Sequence, residues 1–187
     1  GKTDVGVYTV TAKFTGNANY NDIPDMEATL TINKATYDMS GVVFGDTTVT
    51  YNGSAQSILA TNLPDGVTVT YENNGKTDVG VYTVTAKFTS NANYGDIPDM
   101  TATLTISKAT YDMSGIKFDD VTVIYNGSEH TVVITGTLPN GVTVSYTTNK
   151  GTNAGTYNAV ASFTGDANYN DIPDMEATLT INKATYD

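Results

Sequence analysis

The chain has 187 residues, with 9 Lys and Arg against 20 Asp and Glu, which gives a formal net charge of −11 at pH 7. This acidity argues against nucleic-acid binding, which depends on basic patches, and against attraction to anionic membrane surfaces. The absence of Cys excludes disulfides and thiolate metal sites. No apolar run reaches the roughly 20 residues of a membrane span, so no membrane insertion is expected.

The sequence repeats itself with a period of 74 to 75 residues. Gly75 to Gly115 matches Gly1 to Gly41 with four differences, at an offset of 74. A later insertion of one residue makes the next offset 75. Because the sequence opens and stops within the pattern, we interpret it as a piece of a longer protein. We predict four segments: the C-terminal half of a preceding repeat (1–33), two complete repeats (34–107 and 108–182) and the start of another (183–187).

Apolar residues within each repeat recur with a period of two, which is typical of strands. Residues 48–51, followed by Asn52-Gly53, predict a hairpin whose return strand is 57–61. No segment has a helical period. We therefore predict an all-β fold, a two-sheet antiparallel sandwich of six or seven strands per repeat. The residues expected in the core take alternate positions on two later strands: Tyr82, Val84, Ala86, Phe88, Ala102, Leu104 and Ile106.

One motif begins the first of these later strands in every copy. It reads Asp78-Val79-Gly80-Val81-Tyr82, it is unchanged from Asp4, and it returns in looser form from Asn153. The pattern predicts a tyrosine corner, in which the phenol hydroxyl bonds back to nearby backbone. Replacing Tyr82 by Phe should cost about 1–2 kcal/mol. The predicted structural residues are the tyrosine of each copy and the glycine two residues before it: Tyr8, Tyr82, Tyr157, Gly6, Gly80 and Gly155.

The ends of the repeats are predicted to meet. In a sandwich of this kind, the loop Ser90 to Met100 should face the loop before the corner strand of the preceding repeat, the equivalent of 73–78. The connector 106–111 has no Gly or Pro, so it should stay extended. We expect the junction to be a semi-rigid joint in a rod whose repeats touch only their neighbours. The expected apolar contact there consists of three side chains: Ile97, Tyr111 and Met113.

Several short motifs identify a resemblance that covers the whole chain. They are Lys108-Ala109-Thr110-Tyr111-Asp112, Tyr125-Asn126-Gly127, Leu138-Pro139-Asn140-Gly141-Val142, Gly155-x-Tyr157 and Ala167-Asn168-Tyr169. With these motifs the chain resembles the bacterial immunoglobulin-like repeats, of MBG and YDG type, that are stacked in large surface adhesins. The resemblance implies tandem Ig-like sandwiches of about 75 residues that act as stalk modules of secreted or cell-wall-bound proteins.

The sequence contains few residues that could form an active site. The single His, His130, is replaced by Gln56 in the preceding repeat, so a repeated active site cannot use it. We interpret His130 as a surface hairpin residue. No Ser/His/Asp spacing, phosphate loop or metal-binding His cluster occurs in the sequence. We therefore expect no enzyme and no required cofactor.

Calcium is the metal that the sequence could hold. The weak Ca2+ candidates are acidic residues of the loops that should face the repeat junctions: Asp96, Asp99, Asp171 and Asp174, with Asp166, Asn168 and Asn170 nearby. Their oxygens suit this ion, yet no spacing matches a calcium loop and Asn and Asp are ordinary turn residues. Two further alternatives are an isopeptide crosslink through Lys87 or Lys108, and an ice-binding surface built from the rows Thr83/Thr85 and Thr103/Thr105.

We predict a non-enzymatic stalk or spacer segment of a bacterial cell-surface or secreted protein. The alternative is an adhesin module that binds a host protein or carbohydrate. The expected partners are neighbouring repeats of the same chain. The half repeat 1–33 lacks its front strands, so its unpaired edges could also lead to strand exchange or a homo-oligomer.

Overall fold

A computed structural model describes residues 1–185; the final two residues of the predicted segment 183–187 lie outside the described residues. Residues 1–185 form strands and turns and contain no helix, and so no helix that could cross a membrane. The strands, in chain order, are β1 Gly6–Ala12, β2 Met26–Ile32, β3 Thr47–Thr50, β4 Thr68–Glu72, β5 Gly80–Thr89, β6 Met100–Ser107, β7 Val121–Ile124, β8 His130–Thr131, β9 Thr143–Thr147, β10 Lys150–Gly151, β11 Gly155–Thr164 and β12 Met175–Asn182.

The chain divides into two compact units whose boundaries differ from those of the sequence repeats. The first unit comprises Gly1–Thr47, Gln56–Lys76 and Tyr82–Leu104, and the second comprises Thr48–Ala55, Thr77–Val81 and Thr105–Asp187. The residues just before the corner tyrosine, 77–81, therefore belong to the compact unit of the following repeat. We use "half repeat" for 1–33, "first repeat" for 34–107 and "second repeat" for 108–182.

The half repeat is a two-stranded antiparallel sheet. β1 pairs with β2 from Gly6 opposite Ile32 to Ala12 opposite Met26. β11 and β12 of the second repeat pair in the same register, from Gly155 opposite Ile181. The half repeat thus has the hairpin of a complete repeat without the strands that flank it.

Each complete repeat has a four-stranded sheet. Its strand order is β3-β6-β5-β4 in the first repeat and β7-β12-β11-β9 in the second. β12 pairs with β11 antiparallel but with β7 in parallel, so the prediction of a purely antiparallel sandwich is wrong at this pair. The Asp120 carboxylate accepts a hydrogen bond from the Thr178 main chain at 2.7 Å, just before β7 begins. Asp46 and Thr103 make the same 2.7 Å contact in the first repeat. This side chain therefore positions the first strand of each repeat against the last.

The second layer is smaller than the first. In the second repeat it contains β8 paired with β10, and in the first repeat it is reduced to the bridges Val43–Thr61 and Gln56–Lys76. The hairpin predicted at Asn52-Gly53 is therefore wrong. Asn52 does form a local turn, accepting from the Ser54 main chain at 2.9 Å. After this turn the chain enters the smaller layer, where Ile58 is buried.

The core lies between the two layers. In the second repeat it joins Val132 of the smaller layer to Ala159, Ala161, Leu179 and Ile181 of the sheet. In the first repeat Val84, Ala86, Leu104 and Ile106 are buried, as the alternation predicted. This two-layer arrangement confirms the predicted class: the chain is all-β and consists of tandem Ig-like sandwich repeats.

Candidate functional site: the asparagine contacts

A short loop before the last strand has the same backbone in all three copies. Its first polar side chain accepts a hydrogen bond from the asparagine two residues later: Asn91 from Asn93 at 3.0 Å, and Asp166 from Asn168 at 2.7 Å. Asn17 accepts from the Asn19 main chain in the half repeat, at 2.9 Å. This turn is formed locally, because Asn and Asp side chains readily bond to backbone two residues on.

The complete repeats also hold this loop through their opening residues. The Ala35 main chain donates to the Asn93 carbonyl at 3.0 Å, and the Ala109 main chain donates to the Asn168 carbonyl at the same distance. The backbone of each asparagine is therefore fixed by its own repeat. Its side chain is left to point away from the turn.

The tyrosine after each asparagine stacks on a tyrosine of the repeat opener. Tyr94 lies on Tyr37 and Tyr169 lies on Tyr111, in both pairs with ring centroids 3.9 Å apart. The Tyr111 hydroxyl accepts from the Asp166 main chain at 3.0 Å. Stacked rings at this separation add to the energy of area burial. The loop is thus rigidly attached to its own sandwich.

In the first compact unit, the Asn93 side chain bonds to the start of the half repeat's corner motif. Its Oδ1 accepts from the Val5 main chain at 2.8 Å, and its Nδ2 donates to Asp4 Oδ1 at 3.1 Å. The partners are 88 and 89 residues apart in sequence. One amide side chain therefore satisfies a backbone donor and a carboxylate acceptor together.

The second compact unit contains the same arrangement. Asn168 Oδ1 accepts from the Val79 main chain at 2.7 Å, and Nδ2 donates to Asp78 Oδ1 at 3.2 Å. The adjacent Tyr169 ring also meets Tyr51 edge to face, with centroids 5.6 Å apart. Burial there, followed by the charge of Asp166, raises the pKa of the Tyr51 phenol. The loop predicted to face the preceding repeat thus contacts that repeat's corner motif through Asn168 and its Tyr51 through Tyr169.

The predicted corner tyrosines lie next to these contacts. The Tyr8 hydroxyl donates to the Asp4 carbonyl at 2.8 Å, and the Tyr157 hydroxyl donates to the Asn153 carbonyl at 2.9 Å. Asp4 therefore binds the tyrosine through its main chain and Asn93 through its side chain. The tyrosines are half-buried rather than buried. Tyr82 is half-buried at the equivalent position, with Lys76 Nζ 5.4 Å from its ring centroid.

The three predicted glycines differ in how closely they are packed. A Cβ at Gly6 would lie 3.1 Å from the Tyr8 ring, whereas a Cβ at Gly155 would lie 3.9 Å from Tyr157, an ordinary contact. Gly80 is half-buried in β5. The tightest glycine at a corner is one the sequence reasoning missed: a Cβ at Gly151 would lie 2.4 Å from the Tyr157 ring. Gly151 occupies the position of Lys76 in the first repeat. The replacement of a lysine by glycine was the sequence signal that the backbone there lies close to a side chain.

The remaining candidate residues stay apart. The four predicted Ca2+ ligands are all exposed: Asp96, Asp99, Asp171 and Asp174. Within residues 1–185, no three His, Asp or Glu side chains are grouped so that they could hold a metal ion. His130 Nε2 lies 3.0 Å from Asn126 Oδ1, and Lys87 forms an exposed ion pair with Glu72.

Two of the three side chains predicted to form an apolar contact at the junction pack within their own repeats. Ile97 packs with Tyr37 and Met39 against the core of its own repeat. Tyr111, the partner proposed for Ile97, stacks on Tyr169 of the second repeat instead. These apolar residues pack within their own repeats because they close the end of the sandwich core. The contacts that extend to the preceding corner motif are made by the asparagine side chains.

A cavity of about 380 Å³ lies at the corner of the second repeat. It is lined by Tyr125, Asn153, Ala154, Lys183, Ala184 and Thr185. The first three of these occupy the positions that Tyr51, Asp78 and Val79 hold in the first repeat. There, Asn168 and Tyr169 contact those residues. The cavity is therefore the second repeat's counterpart of the surface that receives an Asn–Tyr pair.

The sequence of both repeats matches one family. The model of the MBG domain matches residues 40–110 and 114–185, which together make up most of the chain. The chain therefore belongs to the MBG domain family, as the opener and corner motifs predicted. No curated protein matches the chain.

Solved structures similar to the chain include tandem Ig domains of titin. The titin domains Z1Z2 in complex with telethonin are 16% identical, over 77% of this chain and 98% of that chain, with a TM-score of 0.30. A three-Ig titin structure is 14% identical, over 96% of this chain and 75% of that chain, with a TM-score of 0.26. At these TM-scores the similarity does not define the fold, which follows from the chain's own strand order and core.

Proposed function

We propose that this chain is a non-enzymatic spacer segment of a bacterial cell-surface or secreted protein, in which MBG repeats are joined end to end. Membership of the MBG family and the tandem Ig-like fold support a repeat module. The acidic surface suits a segment that must stay soluble and repel its neighbours. In this proposal the partners of each repeat are the repeats before and after it, and its location is extracellular.

The observation that carries the proposal is the repetition of the asparagine contact. Asn93 with Asp4 and Val5, and Asn168 with Asp78 and Val79, use the same atoms at distances that agree within about 0.1 Å. A site for one particular ligand does not require the same contact at both junctions. A contact that recurs with the repeat period instead supports a joint, because each copy needs the same geometry toward the next.

The proposal extends to the cavity at Tyr125, Asn153 and Ala154. We assign it to the Asn–Tyr pair of another repeat, with the Ala154 main chain as donor to the amide oxygen. Asn153 replaces the aspartate of the other two copies. Its side-chain oxygen can still accept from the incoming amide nitrogen.

The adhesin alternative has one feature in its favour, an exposed loop aromatic. Tyr20 is 77% exposed, whereas its equivalents Tyr94 and Tyr169 are half-buried and stacked. Tyr20 lies in the same Ala-Asn-Tyr motif as those two tyrosines, so its exposure does not single out a separate binding surface. The four acidic loop residues do not converge, so calcium is not part of the proposal.

Small-angle X-ray scattering on the whole chain tests the proposal. We expect the wild-type distance distribution to fit one arrangement of repeats, and the double variant Asn93→Ala/Asn168→Ala to broaden toward freely jointed domains. Asn140→Ala, at an exposed turn residue that takes no part in either asparagine contact, is the matched control and should scatter like the wild type. Free jointing in the wild type, or equal profiles of wild type and double variant, would contradict the proposal.

A further inference from the structure

Four Asn-Gly pairs occur in the chain, at residues 52–53, 74–75, 126–127 and 140–141. Asparagine followed by glycine is prone to lose ammonia, because glycine has no Cβ to keep its main-chain nitrogen away from the asparagine side chain. Attack of that nitrogen on the amide carbon closes a succinimide ring. The pairs at 52 and 126 both lie in the sequence Tyr-Asn-Gly-Ser, so any difference between them must come from the surrounding structure.

The Asn126 side chain has two hydrogen-bond partners at one atom. Its Oδ1 accepts from the Ser128 main chain at 2.9 Å and lies 3.0 Å from His130 Nε2. The Ser128 N–H requires an acceptor, which identifies this atom as the amide oxygen. His130 Nε2 must therefore carry a hydrogen and donate it. Two donors thus converge on the oxygen of one amide.

These donors lie where charge develops during succinimide formation. When the Gly127 nitrogen attacks Cγ of Asn126, the carbonyl electrons move onto Oδ1. N–H groups that already point at this oxygen stabilise its negative charge, as donors in an oxyanion hole do. Histidine can present an N–H at Nε2 in both its neutral and its charged form, and the charged form is the stronger donor.

The histidine is held by its backbone, whereas the asparagine is open to water. His130 pairs with Gly151 where β8 meets β10, so its position is fixed by the smaller layer. Asn126 and Gly127 are exposed, and a Cβ on Gly127 would meet no atom of the described residues within 4 Å. Water therefore reaches the turn, as hydrolysis of a succinimide requires.

Asn74 has the opposite arrangement. Its Oδ1 accepts from the Ile58 main chain at 3.0 Å, and its Nδ2 donates to the Ile58 carbonyl at 2.7 Å. Both ends of this half-buried amide are bonded to another segment, including the nitrogen that would have to leave. Asn74 should therefore be protected, although Gly75 follows it.

We propose that Asn126 is a site of self-modification, at which His130 promotes deamidation. The Gly127 nitrogen forms a bond to Asn126 Cγ and gives up its proton, the Cγ–Nδ2 bond breaks, and ammonia leaves with that proton. Water then opens the ring to aspartate or to isoaspartate, which adds one carbon to the main chain between β7 and β8. The inference does not depend on the proposed spacer function, because it concerns one turn within a repeat.

Ageing of the whole chain in neutral buffer, followed by proteolysis and mass spectrometry, measures deamidation at each asparagine. We expect Asn126 to react about fivefold faster than Asn52, whose repeat has Gln56 in place of the histidine, and Asn74 to react slowest. In concentrated urea, where the fold is lost, the rates at Asn126 and Asn52 should converge. Equal rates in the folded chain, or a difference that persists in urea, would overturn the proposal.

Variants at position 130 identify the donor. His130→Gln introduces the residue of the first repeat and should lower the Asn126 rate to about that of Asn52. Thr131→Ser, at the next and exposed position of β8, is the matched control and should leave the rate unchanged. Amide exchange at Leu179, which is 0% exposed, verifies that the second repeat of each variant is folded. An Asn126 rate that His130→Gln leaves unaltered, or that Thr131→Ser lowers equally, would overturn the proposal.

Discussion

The Asn168 side chain accepts a hydrogen bond at 2.7 Å from the main chain of Val79, which lies 89 residues earlier. Asn93 makes the equivalent bond to Val5 at 2.8 Å. Each asparagine uses its oxygen and its nitrogen at once, and its backbone is fixed by the opener of its own repeat. The asparagine amide offers both a donor and an acceptor at one position. The side chain is therefore the part of the loop most sensitive to substitution.

Replacing Asn168 by Ala should lower the free energy of unfolding by about 1–2 kcal/mol, since the partly buried Val79 amide loses its acceptor and Asp78 loses a donor. Urea unfolding of the whole chain measures the loss. Ala167→Gly, a change beside the asparagine that leaves both of its bonds in place, is the control and should shift the urea midpoint less than Asn168→Ala does. An unaltered midpoint in Asn168→Ala would contradict the assigned bonds.

Replacing Asn168 by Asp should give a pH-dependent defect. The new carboxylate faces the Asp78 carboxylate, and two like charges raise the pKa of the pair. A pKa raised in the folded state means that the protonated form is favoured there, so stability is lost as the pH rises through it. We expect Asn168→Asp to regain stability between about pH 7 and about pH 4. A defect of constant size over that range would argue against the proximity of residues 78 and 168.

Replacing Tyr157 by Phe removes the hydroxyl that donates to the Asn153 carbonyl at 2.9 Å. The expected cost is about 1 kcal/mol, because the ring keeps its packing and only the hydrogen bond is lost. Thermal unfolding gives the value. Tyr125→Phe, at an exposed tyrosine of the same repeat, provides the comparison and should change stability less. Equal effects of the two variants would mean that the corner bond contributes nothing.

Replacing Gly151 by Ala should destabilise the second repeat by about 1–3 kcal/mol, since the added Cβ would lie 2.4 Å from the Tyr157 ring. Replacing Gly155 by Ala should be tolerated, because its Cβ would meet the same ring at 3.9 Å. Denaturant midpoints of the two variants measure the difference. If Gly155→Ala were the more damaging change, the packing of the ring would have to be reassigned.

Asp112 provides a test by titration. Its pKa is lowered by hydrogen bonds from the Ser114 side chain and then from the Ser114 main chain. Because the folded pKa is depressed, the stabilisation is present above the unfolded pKa and is lost as the pH falls through the folded one. In Ser114→Ala the Asp112 pKa should rise toward its ordinary value, as read by carboxyl carbon NMR. Asp38, whose pKa is lowered by Ser40 in the same way, is the internal standard and should not move.

Much of the fold could be predicted from the alternation of residues. Val84, Ala86, Leu104 and Ile106 are buried because strand geometry places every second side chain on one face. The corner motif also predicted the hydroxyl bond, since it depends on a spacing of four residues. Local patterns such as these are readable because both partners lie in one short segment.

Other features could not be read in this way. Asn52-Gly53 has the sequence of a hairpin turn, but burial of Ile58 in the opposite layer determines where the chain goes next. The repetition of Asn93 at Asn168 was visible, yet their partners lie 88 to 90 residues away. A sequence pattern indicates which loop faces the junction but not which side chain reaches across it, because that depends on tertiary packing.

Amide hydrogen exchange at Val5 and Val79 tests the paired asparagine contacts most directly. We predict that Asn168→Ala speeds exchange at Val79 by about an order of magnitude while Val5 is unaffected, and that Asn93→Ala does the reverse. Each amide is thus the control for the other. Exchange at Val79 that is equally fast in wild type and Asn168→Ala would contradict the account.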